Sequence, residues 1–94
     1  MDENTLNALF ADVKNYLDIT WADEDIDKKV MGIMKRGMAY LDSVAGGQQD
    51  YSEECQARAL LLDYVRYVYS SAFEEFQKNY LHELRTLQIQ NGGW

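Results

Sequence analysis

Three acids at alternate positions in the stretch YLDITWADEDIDKK have the spacing with which a calcium-binding loop begins. They are Asp23, Asp25 and Asp27. An EF-hand loop also needs a glycine at its sixth position and a bidentate glutamate at its twelfth, where this chain has Lys28 and Met34. The loop would lack both its sharp turn and the carboxylate that completes the coordination shell. We therefore predict that this stretch binds no calcium.

The same acids suit the first turn of a helix. Unpaired N–H groups at a helix N-terminus carry partial positive charge, which acidic side chains stabilise. Glu24 and Lys28 have the spacing of four residues that favours an ion pair along a helix. Thr20 with Asp23 has the pattern of a capping box. The stretch therefore predicts the end of one helix, a turn and the start of a second helix.

A second motif, GIMKRG, has the glycine spacing of a phosphate-binding loop. Met38 and Ala39 follow it, where phosphate and magnesium binding require a lysine and a hydroxyl. The motif also lies within an apolar pattern of helical period. We interpret Gly37 as a position that allows another helix to approach closely.

His82 and Cys55 are the remaining candidates for catalysis. The segment HELRT begins like a zinc-protease motif, but Thr86 occupies the position of the second histidine ligand. A catalytic pair of Cys55 and His82 would require the fold to bring them together. The sequence therefore predicts a protein that is not an enzyme, with no catalytic, metal or cofactor site; the alternative is a small hydrolase built around Cys55 or His82.

Composition limits the class of protein. The 94 residues suffice for one domain with a single core. The net charge is −7, and no run of clustered Lys and Arg is apparent, which argues against nucleic-acid binding. Charged residues interrupt the longest apolar run, in RALLLDYVRYVYSSAF, far short of the roughly 20 residues of a membrane span. A single cysteine and an acidic N-terminus predict an intracellular protein without a disulfide or signal peptide.

Apolar residues at helical spacing predict an all-α, small four-helix bundle over residues 1–94, with a short flexible tail from about residue 91. The second helix should end at Gly46 and Gly47. The fourth helix should begin near Ser71, unless the third and fourth are one long kinked helix. Its predicted interior residues are Phe73, Phe76, Tyr80, Leu84 and Leu87.

The third helix is predicted to be central. Its apolar stripe is wide, and its charged residues Arg58, Asp63 and Arg66 fall on one narrow arc. A helix with so little polar surface must be covered on most sides. From the residues alone, the prediction is a small acidic bundle that acts through protein–protein contacts.

The order of the segments resembles a known family. LFADVKNYLDITWADEDIDKKVMGIMKRGMAYLD, followed by QARALLLDYVRYVYSSAFEEFQKNYLHELRTLQIQ, is similar to the head-tail connector (adaptor) proteins of tailed bacteriophages and of prophages in Gram-positive bacteria. The resemblance covers about residues 6–90. Each motif is short and amphipathic, so the similarity rests on their order and spacing.

The resemblance implies a structural virion protein, assembled in the host cytoplasm. Subunits of this family form a ring, usually a dodecamer, beneath the portal and join it to the head-completion (stopper) protein. DNA passes through the lumen without specific binding, and an acidic lumen would not hold back the genome. The family's C-terminal segment often reaches towards the portal. Here that implies partner contacts at Leu84, Leu87, Ile89 and Trp94.

Two further expectations concern this assignment. A chain cut after Thr86 should stay folded but bind portal less well. The alternative to a connector is a small acidic prophage or host regulatory protein that acts by binding another protein. Such a regulator should form a defined complex with a DNA-binding protein, whereas a connector should bind portal.

Overall fold

The computed structural model describes residues 2–90, which form five α-helices without a β-strand. The helices are α1 (Glu3–Tyr16), α2 (Glu24–Ala45), α3 (Gln56–Tyr69), α4 (Phe73–Asn79) and α5 (Leu81–Gln90). The predicted all-α class is confirmed. The predicted count of four helices is wrong, because the segment expected to form the fourth helix forms two. The tail predicted from about residue 91 lies outside the described residues.

The additional boundary lies at Tyr80, between α4 and α5. Its φ of −113° and ψ of 16° depart from helical values, although its N–H still donates to the Phe76 carbonyl at 2.9 Å. The Tyr80 ring stacks on the Phe76 ring at 5.0 Å between centroids and meets the Tyr67 ring edge-on at 5.6 Å. No glycine or proline lies here, so these ring contacts account for the break.

The join between α3 and α4 is a boundary rather than a kink. α3 ends at Tyr69, and Ser71 has a φ of 58°, in the left-handed region that residues other than glycine rarely adopt. The N–H of Ala72 donates to the Tyr67 carbonyl at 2.7 Å and so satisfies a carbonyl of the last turn of α3. α4 begins at Phe73, two residues after the predicted start.

Both ends of α2 follow from side-chain and backbone chemistry that the sequence indicates. Asp23 Oδ1 accepts hydrogen bonds from the N–H groups of Asp25 at 2.9 Å and Ile26 at 3.1 Å. The predicted helix start is therefore confirmed, but its cap is Asp23 rather than Thr20. At the other end Gly46 has a φ of 83°, which glycine adopts without strain, so the predicted glycine stop is confirmed as well.

α3 is the central helix, as predicted, because it packs against each of the other four. The core lies between α3 and the inward faces of its neighbours. Most apolar residues on the inward faces of α2 and α3 are buried. The largest fully buried side chains are Leu9, Val13, Val30, Ile33, Met34, Leu41, Tyr51, Leu61, Val65 and Phe76.

Gly37 marks the close approach of α2 to α3, as predicted. A Cβ at this position would lie 2.6 Å from Tyr64 Cδ1 and 2.9 Å from Leu61 Cδ1, distances that real Cβ contacts do not show. The Tyr64 ring cannot move aside freely, because it stacks on Tyr40 at 5.7 Å and meets Phe73 edge-on at 5.7 Å. Glycine is therefore a packing requirement here.

Tyr51 and Arg58 fasten the connection between α2 and α3 to the bundle. Tyr51 is 1% exposed, and its hydroxyl donates to Asp42 Oδ1 at 2.6 Å. Arg58 Nη1 donates to the Tyr51 carbonyl at 2.9 Å, and Nη2 pairs with the Asp12 carboxylate on α1. Arg58 is 8% exposed, although it belongs to the charged arc of α3. The guanidinium joins α1, α3 and the connection.

A first prediction compares alanine substitutions at two glycines of α2. Gly37→Ala should lower the melting temperature, because overpacking costs about 1–3 kcal/mol and outweighs the helix propensity gained, about 1 kcal/mol. Gly32→Ala is the control, since its Cβ would meet only Arg36 Nη1, at an ordinary 3.5 Å. That variant should melt above the wild type. Thermal unfolding followed by circular dichroism measures both, and equal melting temperatures would contradict the close approach at Gly37.

A second prediction concerns alkaline pH. Burial, followed by the hydrogen bond to Asp42, raises the pKa of the Tyr51 hydroxyl above its ordinary value of 10.0. The folded chain therefore keeps a proton that the unfolded chain releases, so the contribution of Tyr51 to stability is fully present below pH 10 and falls as the pH rises above it. Burial also raises the pKa of Tyr64 and Tyr80.

Tyr51→Phe should show a smaller loss of stability above pH 10 than the wild type. At neutral pH it should be less stable by about 1–3 kcal/mol, the usual cost of losing a hydrogen bond to a charged group. Tyr69→Phe is the control and should behave as the wild type, because the Tyr69 ring, which faces Lys29 at 5.2 Å, is retained by phenylalanine. Urea unfolding at several pH values gives these free energies. An unchanged alkaline slope in Tyr51→Phe would contradict the assignment.

Candidate partner-binding surface

The four residues implied as portal contacts lie in different environments. Leu84 and Leu87 are 6% and 2% exposed and belong to the core, as their helical period predicts. Ile89 is 68% exposed. Trp94 lies outside the described residues. Of the three that are described, only Ile89 offers a partner a large apolar surface without rearrangement of the bundle.

The burial of Leu87 changes what a C-terminal cut would do. A chain ending at Thr86 would lose a leucine from the core as well as the exposed Ile89. Removing a buried leucine side chain costs about 2–5 kcal/mol. This cost argues against the expectation that the truncated bundle stays intact, and a point substitution at Ile89 isolates the surface effect.

The solvent side of α5 carries an apolar and basic stripe. Leu81, Arg85 and Ile89 follow one another at intervals of four residues, which places them on one face of the helix. All three are exposed, and Leu81 and Ile89 are two of the four large exposed hydrophobic residues of the described chain. We call these three residues the outer face of α5. Apolar side chains around an arginine are a composition enriched in protein–protein interfaces.

A polar cleft of about 380 Å³ lies where α1, α3 and the α4–α5 boundary meet. The Tyr16 hydroxyl donates to the Asp63 carboxylate, and the Arg66 guanidinium lies 5.8 Å from the centre of the Tyr16 ring. The hydrogen bond to Asp63 raises the pKa of the Tyr16 hydroxyl. Asp63 and Arg66, two of the charged residues on the arc of α3, thus attach α1 to α3.

Cys55 and His82 lie towards opposite ends of the bundle. Cys55 is exposed at the start of α3, where its Sγ donates to the Asp50 carbonyl at 3.4 Å. His82 follows Tyr80, whose ring contacts Tyr67, twelve residues further along α3. Twelve residues of helix span about 18 Å. The fold therefore does not bring the two side chains together as a nucleophile and its base.

The aspartates of the calcium-like pattern have other roles. Asp23 caps α2, and Asp27 Oδ1 lies 2.6 Å from Lys14 Nζ of α1. Lys14 Nζ also donates to the Trp21 carbonyl at 3.4 Å, which holds the connection between α1 and α2. Within residues 2–90 there is no group of three or more His, Cys, Asp or Glu side chains arranged to hold a metal ion.

The structure also reveals a basic surface that composition concealed. Two pairs of basic residues seven positions apart lie two turns apart on the solvent side of α2. None of the four belongs to an ion pair of the described residues, and the pair expected between Glu24 and Lys28 is not formed. The sequence does show this surface, because the two basic pairs lie seven residues apart, which is about two helical turns. We define the basic face of α2 as Lys28, Lys29, Lys35 and Arg36.

Comparison with protein-family models, with curated proteins and with solved structures finds no match to this chain. Among the described residues, none of the helices has the length and apolar character needed to cross a membrane. The features of this chain that bear on its function are its own surfaces and the order of its segments.

A third prediction follows from the roles of the aspartates. Calorimetric titration with Ca²⁺ should show no binding tighter than about 1 mM, the weak end of the range for such loops. Asp25→Asn serves as the control, because Asp25 contributes only its N–H to the cap at Asp23. Its titration should match that of the wild type. Tighter binding that disappears in Asp25→Asn would establish a metal site in this segment.

Proposed function

We propose that this chain is a head-tail connector subunit, which forms a ring beneath the portal of a tailed phage and joins the filled head to the stopper or tail. Support comes from the order of its segments, which resembles that family along about residues 6–90, and from the all-α fold of residues 2–90. The alternative is an acidic regulatory protein, and its expected partner is a DNA-binding protein rather than portal.

The observation that carries the proposal is the outer face of α5. This helix is held by Leu84 and Leu87 on one side, while Leu81 and Ile89 are 48% and 68% exposed on the other. An apolar helix face that the subunit does not cover is suited to a groove or flat surface on a partner. It lies near the C-terminus, the segment with which the family reaches the portal. The portal is therefore the occupant we propose for this face.

The charge of the chain suits passage of DNA. A net charge of −7 repels phosphates, so a lumen formed from these subunits would let the genome slide. The described residues extend 40 × 30 × 18 Å, so the subunit is flat. Several copies of such a subunit can surround a channel. In this proposal the outer face of α5 points to the portal and an acidic surface points to the lumen.

A fourth prediction tests the portal contact. Ile89→Asp should weaken binding to the portal protein encoded in the same gene neighbourhood by about 10- to 100-fold. Burying an isoleucine side chain contributes about 1.5–3 kcal/mol, and each 1.4 kcal/mol is tenfold in affinity. Gln90→Asp is the matched control, because it adds the same charge at a neighbouring exposed position without removing an apolar side chain.

Binding is measured by light scattering and by titration calorimetry, with circular dichroism to verify that both variants fold. If the wild type does not bind portal, the connector proposal is wrong. If Ile89→Asp binds as tightly as Gln90→Asp, the proposal survives and the outer face of α5 is not the contact.

A further inference from the structure

The basic face of α2 divides the charge of this molecule unequally. It holds four of the nine basic residues, which leaves five against 16 acids on the remainder of the chain. Lys28 and Lys35 make no hydrogen bond, ion pair or ring contact with residues 2–90. Both side chains are exposed, and Lys35 lies at the edge of a cleft that Asp2, Asp42 and Asp50 also line. The subunit is therefore electrostatically polar, with one basic face on an acidic body.

Such a face cannot pair with itself. A two-fold contact places the same patch of both subunits together, so it would oppose four cations to four cations. Like charges in direct contact are unfavourable. If this face contacts another copy, the contact must be heterologous, in which one patch meets a different patch of the next subunit. Contacts of that type generate rings or open chains.

A complementary surface exists on α4. A cleft of about 570 Å³ there has partly exposed apolar side chains and two exposed glutamates. Neither glutamate belongs to an ion pair of the described residues, even though Lys78 lies four residues after the first. Ser71, the residue with the left-handed backbone, lies in the same cleft. We call it the glutamate cleft and define it by Val68, Ser71, Phe73, Glu74 and Glu75.

The two surfaces lie on different helices, and they border each other at the end of α3, where Lys29 Nζ lies 5.2 Å from the centre of the Tyr69 ring, next to Val68 of the cleft. α2 and α4 each pack against α3 and α5. They do not pack against each other, apart from a contact of the Phe73 ring with Tyr40. A subunit with complementary patches on two helices can bind one neighbour through each.

We infer that the basic face of α2 binds the glutamate cleft of a second copy of this chain, in a head-to-tail contact. The chemistry of the cleft fits lysine and arginine side chains, which place their methylene stems on apolar surface and their charged heads near carboxylates. Val68 and Phe73 supply the apolar surface, and Glu74 and Glu75 supply the carboxylates. Gly32 lies between the two basic pairs and allows the neighbour to approach the α2 backbone closely.

This inference deepens the proposed function, since a ring requires a head-to-tail contact. Exposed ion pairs contribute little individually, so the contact should be weak, with a dissociation constant on the order of 1 mM. Repulsion between the net charges of two copies opposes it. At about 0.1 M salt the Debye length is about 10 Å, which screens that repulsion more than it screens contacting pairs. Near 1 M salt the length is about 3 Å and the contacting pairs weaken too.

The fifth prediction is a charge exchange, tested by sedimentation at protein concentrations up to about 1 mM. The wild type should associate at about 0.1 M salt and dissociate near 1 M. Lys28→Glu/Lys35→Glu and Glu74→Lys/Glu75→Lys should each lose association. An equimolar mixture of the two variants should regain it. The acidic face of the first variant then meets the basic cleft of the second, and the native face of the second meets the native cleft of the first. Glu3→Lys/Glu53→Lys, which changes the net charge as the cleft variant does, should still associate.

No portal protein enters this experiment, so its failure and that of the portal contact can be told apart. Circular dichroism establishes that each variant is folded. Absence of wild-type association, association that survives either double substitution, or a mixture that stays monomeric would each overturn the head-to-tail contact. Duplex DNA is added in a parallel series. Binding of DNA that Lys28→Glu/Lys35→Glu abolishes, without wild-type self-association, would assign the basic face to phosphates instead.

Discussion

The close contact between Gly37 and Tyr64 is the constraint on which this bundle depends. The missing side chain at Gly37 lets the Tyr64 ring lie against the α2 backbone, and no other residue type leaves that space. The same ring contacts Tyr40 of α2 and both Phe73 and Phe76 of α4. One side chain of α3 thus fixes two neighbouring helices relative to each other. A domain of this size has few such opportunities, because it buries a modest fraction of its surface.

Much of the helical framework could be predicted because its causes are local. The apolar stripe of α2 and the glycine at position 46 act within one or two turns, so periodicity and backbone preference suffice. The break at Tyr80 could not be predicted, since it depends on a ring packing against Tyr67 from another helix. The burial of Arg58 has the same origin. Its partner Asp12 is 46 residues away in the sequence. Periodicity alone cannot show that an arginine on a polar arc is buried against so distant a partner.

The candidate site shows a different limit of sequence reasoning. Helical period placed Leu84 and Leu87 inside the bundle, while the family resemblance implied that they touch the portal. Their burial agrees with the helical period. Ile89 is exposed and stays a candidate portal contact, and the contact at Trp94 stays an expectation. A family pattern indicates which segment contacts a partner. Which face of that segment is free depends on how the subunit's own core uses it, and only packing decides this.

The charge distribution connects the two proposed contacts to the order of assembly. Net repulsion between copies and weak individual ion pairs both keep free subunits apart. A portal that binds each subunit through the outer face of α5 would hold neighbours at high effective concentration, which raises the occupancy of a weak head-to-tail contact. The lateral contact then needs little affinity of its own, and a stronger one would carry a cost, because heterologous patches that bind tightly in solution also form open chains. A weak lateral contact and a symmetric template together favour closure on the portal over polymerisation in solution.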